Sequence, residues 1–331
     1  ILLSKLGGEV LQYKGTYRGV NNVKRVAFRK RKKRMGLSLV FIIIFILTTV
    51  VATFKFLSKF ENSISLSNEE IKSYIDITDE LSKVGYQLNW QEVAAINSAI
   101  NNGNFEINNE NINNISNALL KKDNEGNIVG INSFKTAIKN LNLDNEAYNL
   151  AKSNLERLKS NYLNEKLVND RNKLGFIESI SGVALDNYKN YGVLPSITIS
   201  QAILESGWGE STLSAEYNNL FGIKADSRWS GKKVEMETKE NYDDVIVGAF
   251  RAYDSVNSSI KDHGKFLSEN ERYAANGLFN GKTYIEQAQA LENAGYSTAK
   301  DEEGNLIYAD KLIKVIQENN LMFYDTNVER K

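Results

Sequence analysis

The chain has 331 residues, with no cysteine, one histidine (His263) and equal numbers of acidic and basic residues. The lack of thiols excludes disulfides and thiolate metal sites, and a single histidine excludes multi-histidine metal cages. At roughly 100–200 residues per domain, the length predicts about two domains. The neutral total hides an asymmetry, because residues 1–35 carry eleven Lys or Arg against the single acid Glu9. Such a basic arm favours anionic lipid over nucleic acid, since no nucleic-acid motif accompanies it.

Directly after the basic arm comes an uncharged, apolar run, GLSLVFIIIFILTTVVATF, from Gly36 to Phe54. A helix of this length spans roughly 28 Å, about the thickness of the hydrocarbon core of a bilayer. We therefore predict a transmembrane helix over residues 36–57, in preference to a buried soluble helix or a cleaved signal peptide. The basic flank places the N-terminus in the cytoplasm and the C-terminal domain outside the cell. The predicted localisation is the cell membrane, as a single-pass protein.

The next segment, residues 66–142, is predicted to be a small helical domain. Ser67 followed by Glu70 fits a capping box at the start of its first helix. After an Asn-rich tract, apolar residues recur with helical spacing at Ile112, Ile115 and Leu119. Residues 143–171 are predicted to form a connecting helix.

The C-terminal segment, residues 172–326, combines helical patterns with one candidate β-hairpin. Pro195 stands where the first turn of a helix accepts proline, directly before ITISQAILES. The stretch SGKKVEMETKENYDD, residues 230–244, alternates enough to predict a short hairpin. The expected fold class is therefore mainly α with a small hairpin. His263, in SSIKDHGKFL, is interpreted as a structural residue.

A single carboxylate, Glu205, ends the helical run between Leu204 and a Ser-Gly-Trp-Gly turn. It lies on a polar stripe of the predicted helix with Thr198 and Gln201. The helix dipole disfavours a negative charge at this end, and burial against Leu204 and Trp208 raises the pKa of a carboxyl further. An acid that keeps its proton is what glycosidic bond cleavage requires. From these residues alone, a solvated glutamate at the helix end is an equal alternative.

The whole C-terminal segment resembles a known family. In chain order it contains YGVLPSITISQAILESGWGES, NNLFGIK, WSG, TKE, FRAYDS, DHGKFL, RY, AGYSTA and YADKL. Over about residues 172–325, these motifs are similar to those of glycoside hydrolase family 73. Members are bacterial endo-β-N-acetylglucosaminidases, which cut the glycan strands of peptidoglycan. The resemblance implies a lysozyme-like, mainly helical fold with a small hairpin beside the cleft.

The resemblance also implies roles for individual residues. The general acid of the family corresponds to Glu205, and its second acid to Glu240 in TKE, with Glu237 as the nearby competitor. The tyrosine of the family's G-Y-[AS]-T motif corresponds to Tyr296. Two positions that line the family's cleft correspond to Asn219 and Phe221. A water activated by the second acid would give inversion, whereas participation of the substrate's N-acetyl group would give retention.

Aromatic residues are candidates for stacking on sugar rings, although they also fill the cores of helical domains. The set considered is Trp208, Trp229, Tyr253, Tyr273 and Tyr308, with Trp229 first because it lies beside the predicted hairpin. The predicted substrate-binding residues are Asn219, Phe221, Trp229, Tyr253 and Tyr308. No phosphate loop, zinc motif or dinucleotide fingerprint occurs, so neither a cofactor nor a metal is predicted.

The first helical domain has a weaker similarity to lysozyme-type and lytic-transglycosylase domains, in GYQLNWQEVAAINSAINNGNF. Asn97 and Asn101 stand at the end of its short helix, where a Glu-Ser pair would be needed. This departure favours an inactive spacer or a partner-binding module.

The sequence thus predicts a membrane-anchored hydrolase that cleaves the glycan strand of peptidoglycan after N-acetylglucosamine, with Glu205 as general acid. One alternative is a muramidase or lytic transglycosylase on the same fold. Another is a non-catalytic assembly component of a secretion or conjugation machine in the cell envelope. The expected partners are peptidoglycan glycan strands, the lipid bilayer and envelope-machine proteins, and no nucleic acid.

Overall fold

In the computed structural model, the described residues are 48–49, 66–161, 171–240 and 244–326. Residues 64–331 form one compact unit, and residues 1–63 group separately from it. The predicted basic arm, residues 1–35, lies outside the described residues. Within the described part helices dominate, and the strands form two separate two-stranded antiparallel sheets. The mainly α class predicted from the sequence is confirmed.

Residues 66–161 form helices α1 to α5 and one short hairpin. The bounds are Asn68–Ser82 (α1), Trp90–Ile100 (α2), Asn109–Leu119 (α3), Leu120–Lys122 (β1), Ile128–Ile131 (β2), Phe134–Asn140 (α4) and Asn145–Asn161 (α5). The predicted capping box is present, since Ser67 Oγ accepts from the N–H of Glu70 and the Glu70 carboxylate accepts from the N–H of Ser67. The β1–β2 hairpin corrects the expectation of a purely helical segment. Its turn is closed by the carboxylate of Asp123, which accepts from the backbone N–H of Asn127.

Residues 171–326 form the remaining helices and the predicted hairpin. The bounds are Arg171–Tyr191 (α6), Pro195–Ser206 (α7), Thr212–Tyr217 (α8), Lys233–Glu240 (β3), Asp244–Arg251 (β4), Val256–Glu269 (α9), Glu271–Ala275 (α10), Tyr284–Asn293 (α11), Tyr308–Glu318 (α12) and Met322–Thr326 (α13). Strands β3 and β4 pair in antiparallel register, from Lys233 opposite Arg251 to Glu240 opposite Asp244. Helix α7 is central, because it packs against α6, α11, α12 and α13.

A continuous hydrophobic core connects residues 66–161 to residues 171–326. Polar contacts cross the same boundary: the indole N–H of Trp90 donates to the side-chain oxygen of Asn320 at 2.9 Å. The domain limits predicted from the sequence, 66–142, 143–171 and 172–326, stay predictions. Part of the predicted connecting helix, residues 162–170, lies outside the described residues.

The predicted membrane anchor requires a correction. A spanning helix needs about 20 consecutive apolar residues to cross the hydrocarbon core. Among the described residues, no helix is both long and apolar enough to do so. This finding contradicts the single-pass localisation, with its cytoplasmic N-terminus and extracellular C-terminal domain, and leaves the lipid bilayer unsupported as a partner. The segment 36–57, on which the prediction depended, lies outside the described residues apart from Thr48 and Thr49.

Candidate active site

Helix α7 carries the predicted acid at its C-terminal end. At its start, Leu194 provides no side-chain cap and Pro195 occupies the first position. A remote carboxylate supplies the cap, because Asp325 accepts from the backbone N–H of Ser196 at 2.9 Å and from its hydroxyl at 2.6 Å. Asp325 is fully buried, and this burial raises its pKa to about 7. A carboxyl group therefore lies at each end of α7.

Three consecutive residues beyond Ser206 adopt left-handed backbone conformations. Gly207, Trp208 and Gly209 have φ angles of 57°, 65° and 80°. Glycine adopts this region freely, whereas a residue with a side chain, such as Trp208, is strained there by about 1–3 kcal/mol. The hydroxyl of Ser206 holds the turn by accepting from the N–H of Gly209 at 2.6 Å. The turn ends α7 at Ser206, one residue after Glu205.

Glu205 is accessible to solvent, although protein groups crowd its carboxyl. The phenol of Tyr308 donates to Glu205 Oε1 at 2.8 Å, and Gln201 Nε2 donates to the same phenol oxygen at 3.0 Å. Burial raises the pKa of the Glu205 carboxyl, while the Tyr308 hydrogen bond and the positive charge of Lys311 oppose the rise. The net pKa is raised, in the direction that the sequence predicted. The carboxyl therefore holds its proton to a higher pH than an ordinary glutamate.

Tyr296 joins the same cluster through ring contacts. Its ring stacks on Tyr308 with centroids 5.2 Å apart, and the Tyr273 and His263 rings lie at 6.1 and 6.5 Å. His263 is fully buried and stacks on Phe221 with centroids 3.8 Å apart. Burial lowers the pKa of His263 to about 3, so the imidazole is neutral at physiological pH. Tyr296 and Tyr308 thus form an aromatic wall beside the acid, with His263 packed behind it.

Asn219 and Phe221, which were predicted to line the cleft, are both buried. The amide of Asn219 donates to the carbonyl oxygens of Ile223 at 3.1 Å and Arg251 at 2.8 Å. Its side-chain oxygen accepts from the N–H groups of Phe221 and Ile223. Asn219 thereby ties the turn that follows α8 to the end of β4. Direct sugar contact by either residue stays a prediction.

Trp229 and Tyr253 lie together beside the base of the hairpin. Their rings meet edge to face with centroids 5.7 Å apart; Trp229 is partly exposed and Tyr253 is buried. The guanidinium of Arg251 lies 4.6 Å from the centre of the Trp229 ring and pairs with Asp262 at 2.8 Å. The Tyr253 phenol donates to the same Asp262 oxygen at 2.7 Å. Trp229 is thus braced by a buried polar cluster, and its role in sugar binding stays a prediction.

The second predicted acid, Glu240, is the last residue of β3. Glu237, three residues earlier on the same strand, is exposed and pairs with Val247, which is 66% exposed. The choice between Glu240 and Glu237 as the second acid stays a prediction.

The sequence did not predict several contacts that organise the site. Gln201 was placed on the polar stripe of α7, but its bond to the Tyr308 phenol was not foreseen. Tyr308 was expected to stack on sugar, whereas its ring is buried, at 2% exposure, and its hydroxyl binds Glu205. Asp325 gave no signal in the sequence at all. Within the described ranges, no group of three His, Cys, Asp or Glu side chains is arranged to hold a metal ion.

Part of the chain matches a known protein family and several known proteins. Residues 182–321 match the glucosaminidase family model, described as mannosyl-glycoprotein endo-beta-N-acetylglucosaminidase. The exo-glucosaminidase LytG of Bacillus subtilis is 41% identical over 157 residues, which are 45% of this chain and 52% of that protein. The peptidoglycan hydrolase FlgJ of Vibrio parahaemolyticus is 36% identical over 150 residues, 43% of this chain and 46% of that protein. The chain thus spans about half the length of these two relatives.

A solved structure also aligns with the chain. The catalytic domain of the autolysin Auto from Listeria monocytogenes is 35% identical, with a TM-score of 0.39, over 46% of this chain and 87% of that domain.

Proposed function

We propose that the chain, a glycoside hydrolase whose residues 182–321 match the glucosaminidase family model, cleaves the glycan strands of peptidoglycan after N-acetylglucosamine. The similar proteins support this substrate, because one is an exo-glucosaminidase and another a peptidoglycan hydrolase. The proposed site lies where α7 ends, in the lysozyme-like cleft that the family resemblance implies.

The observation that carries the proposal is the environment of Glu205. A general acid must hold a proton at working pH and then transfer it to the leaving oxygen. Burial supplies the first property by raising the pKa of Glu205, and accessibility to solvent supplies a path for substrate. The phenol of Tyr308 holds the carboxyl in one orientation through Oε1, which leaves Oε2 for the glycosidic oxygen.

The second half of the reaction has two candidate routes. In an inverting mechanism, a carboxylate at position 240 would activate water on the opposite face of the sugar. In a substrate-assisted mechanism, the N-acetyl group attacks the anomeric carbon, and Tyr296 beside the acid orients that group by hydrogen bonding. We keep Glu240 ahead of Glu237 for the first route because the family resemblance favours it. The anomeric configuration of the first product, followed by NMR, separates inversion from retention.

We assign substrate binding to the residues that the family resemblance and their aromatic character suggest. Trp229 is the first candidate, because its ring is partly exposed and is held by Arg251 at 4.6 Å. Tyr253, Asn219 and Phe221 are buried, so we assign them to shaping the cleft from behind. Tyr308 acts on the acid rather than on the sugar.

Digestion of purified peptidoglycan with the full chain tests the proposed function. Mass spectrometry identifies the new ends: reducing N-acetylglucosamine is the expected result. Reducing N-acetylmuramic acid would support a muramidase instead, and 1,6-anhydro ends would support a lytic transglycosylase. Undigested walls in the presence of folded protein would support the non-catalytic assembly role.

A further inference from the structure

Helices α11 and α12 together carry the two tyrosines beside the acid. Tyr308 is the first residue of α12, and Tyr296 follows the end of α11, where its N–H donates to the carbonyl of Leu291 at 3.0 Å. The two helices are joined at this end, because the carboxylate of Glu292 accepts from the N–H of Ala309 at 2.9 Å. The position of the tyrosines relative to Glu205 therefore depends on how this helix pair is held.

The other ends of the same two helices meet in a buried polar cluster. Tyr284, the first residue of α11, is fully buried, and Gln317 in the last turn of α12 donates to its phenol oxygen at 3.1 Å. Both side chains turn to one acceptor, Asp79 Oδ2. The Tyr284 hydroxyl donates to it, and Gln317 Nε2 donates to it at 3.2 Å.

Asp79 belongs to α1, outside the residues that match the glucosaminidase family. It is buried, and its other oxygen accepts from Gln87 Nε2 at 3.0 Å. The three side chains that donate to it are neutral. A buried carboxyl held by neutral donors is costly to disturb, because loss of this acceptor removes a hydrogen bond from each of the buried donors. The cluster therefore fixes the far ends of α11 and α12 to the N-terminal helices.

Helix α12 connects this cluster to the acid. Its 11 residues are about 16 Å long at a rise of about 1.5 Å per residue. A helix of this length behaves as a rigid rod, so a shift at Gln317 is passed on to Tyr308. The hydrogen bond from Tyr308 to Glu205 measures 2.8 Å and has little tolerance for such a shift.

We propose that Asp79 is a positioning residue for the candidate active site: it holds the α11–α12 pair in the place that keeps the Tyr308 phenol on Glu205. The N-terminal helices are then a brace for the catalytic segment rather than a detached spacer. The catalytic part of this proposal rests on the proposed function, whereas the coupling of Asp79 to Glu205 does not.

Two variants of the full chain test the coupling. Asp79→Asn replaces an acceptor by a group that points its own N–H at the donors of the cluster. Tyr284→Phe is milder, since it removes one hydroxyl and keeps the ring. Asp76→Asn is the matched control, because Asp76 lies on the same helix, is exposed and pairs with Lys72. Its charge contributes to the raised pKa of Asp79, but its side chain is outside the hydrogen-bonded cluster.

The decisive measurement is the titration of Glu205 itself. Protein labelled with ¹³C at the glutamate carboxyls gives one signal per residue, and the spectrum of Glu205→Gln assigns the Glu205 signal. In Asp79→Asn and, to a smaller extent, in Tyr284→Phe, we expect the Glu205 titration to move to higher pH, because the Tyr308 hydrogen bond that opposes protonation is weakened. Asp76→Asn should titrate like the wild type.

Turnover of peptidoglycan is the second measurement. A misplaced positioning group lowers kcat, and we expect a loss of about tenfold in Asp79→Asn with little change in KM. A folded Asp79→Asn protein with wild-type Glu205 titration and wild-type kcat would overturn the proposal. If Asp79→Asn does not fold, the same two readouts on Tyr284→Phe decide. A wild-type protein without activity would refute the proposed function, while the titration would still decide the coupling.

Discussion

Helices α2 and α7 are both short and largely buried, yet they end in opposite ways. In each, the middle residues are apolar and inaccessible, as in Val93 and Ile96 of α2 and Ile197 and Ala202 of α7. Each also carries polar side chains in its last turns. In α2 these side chains bind one another, whereas in α7 the carboxyl of Glu205 remains accessible to solvent.

The polar groups at the end of α2 form a closed network. The Asn97 amide donates to the Tyr74 phenol at 2.7 Å and to the carbonyl of Glu106 at 2.9 Å. Asn101 donates to Asn97 at 3.3 Å and accepts from Asn111 at 3.1 Å. Neutral amides that satisfy each other stabilise the fold and leave no proton to transfer. Both helices thus carry polar side chains at the same place, near their C-terminal end. The chemical type of the side chain, a neutral amide in α2 and a carboxyl in α7, decides whether it can transfer a proton.

The two helices also begin differently. Asn89 caps α2 locally, by accepting from the N–H of Gln91 at 2.9 Å. Helix α7 depends on Asp325, which comes from a helix at the other end of the segment. The helix that carries Glu205 is thus tied at its start by a titratable group, and α2 by a neutral one.

The variant with the largest expected effect is Glu205→Gln, which tests whether the carboxyl at the end of α7 transfers a proton. Glutamine keeps the shape and one donor but cannot transfer a proton, so peptidoglycan hydrolysis should fall by at least about 100-fold. The melting temperature should stay equal or rise slightly, because a crowded carboxyl is removed. The control is Glu210→Gln, an exposed glutamate on the same turn. Retained activity together with a melting temperature several degrees lower would make Glu205 a structural residue.

Asp325→Asn tests the different starts of the two helices. Between the usual carboxyl pKa of 3.8 and the raised value of about 7, folded Asp325 binds a proton that the unfolded chain has released. The free energy of unfolding therefore falls as pH rises through this window, by up to about 4 kcal/mol at about 1.4 kcal/mol per pKa unit. Asparagine can bond Ser196 without titrating, so the variant should lose this slope.

Urea unfolding at several pH values between 4 and 8 measures the slope for wild type and variant. Asp310→Asn, an exposed carboxyl on α12, serves as the control. Equal slopes in wild type and Asp325→Asn would show that Asp325 does not titrate in this window.

Asn97→Ala should lower stability and leave activity unchanged, which is the opposite of the result expected for Glu205→Gln. It removes the donor for the buried Tyr74 phenol and the Glu106 carbonyl, so the free energy of unfolding should fall by about 1–3 kcal/mol. Activity per folded molecule should be close to wild type at a temperature where the variant is folded. Asn117→Ala, an exposed asparagine on α3, should change neither quantity measurably. A catalytic defect in folded Asn97→Ala would mean that α2 contributes to the reaction.

Tyr308→Phe is expected to have a small effect on stability, and it tests how the phenol controls the acid. It removes the donor to Glu205, so the pKa of Glu205 should rise further, and the alkaline limb of the pH–activity profile should move to higher pH. Loss of the bond with Gln201 should cost about 1 kcal/mol of stability. Tyr148→Phe on α5 is the control. An unmoved alkaline limb would assign that limb to a group other than Glu205.

The sequence by itself determined the features that depend on neighbours along the chain. Pro195 and the Ser67–Glu70 capping box predicted two helix starts correctly. The alternation in residues 230–244 located the first strand of the hairpin, whereas its second strand extends to Arg251. Glu205 stood out because the helix dipole disfavours a carboxylate between Leu204 and a glycine-rich turn, although the residues alone left a solvated glutamate as an equal alternative. These predictions needed only backbone preferences and local periodicity.

Only the tertiary structure decided which groups meet that carboxyl. Tyr308 lies 103 positions from Glu205, Asp325 lies 129 positions from Ser196, and Tyr284 lies 205 positions from Asp79. From the sequence alone, each of these side chains is compatible with several roles. Tyr308 was assigned to sugar stacking because it is aromatic. Packing of α11, α12 and α13 around α7 selects one role, because burial removes water as a partner and each polar group must then find another within about 3 Å.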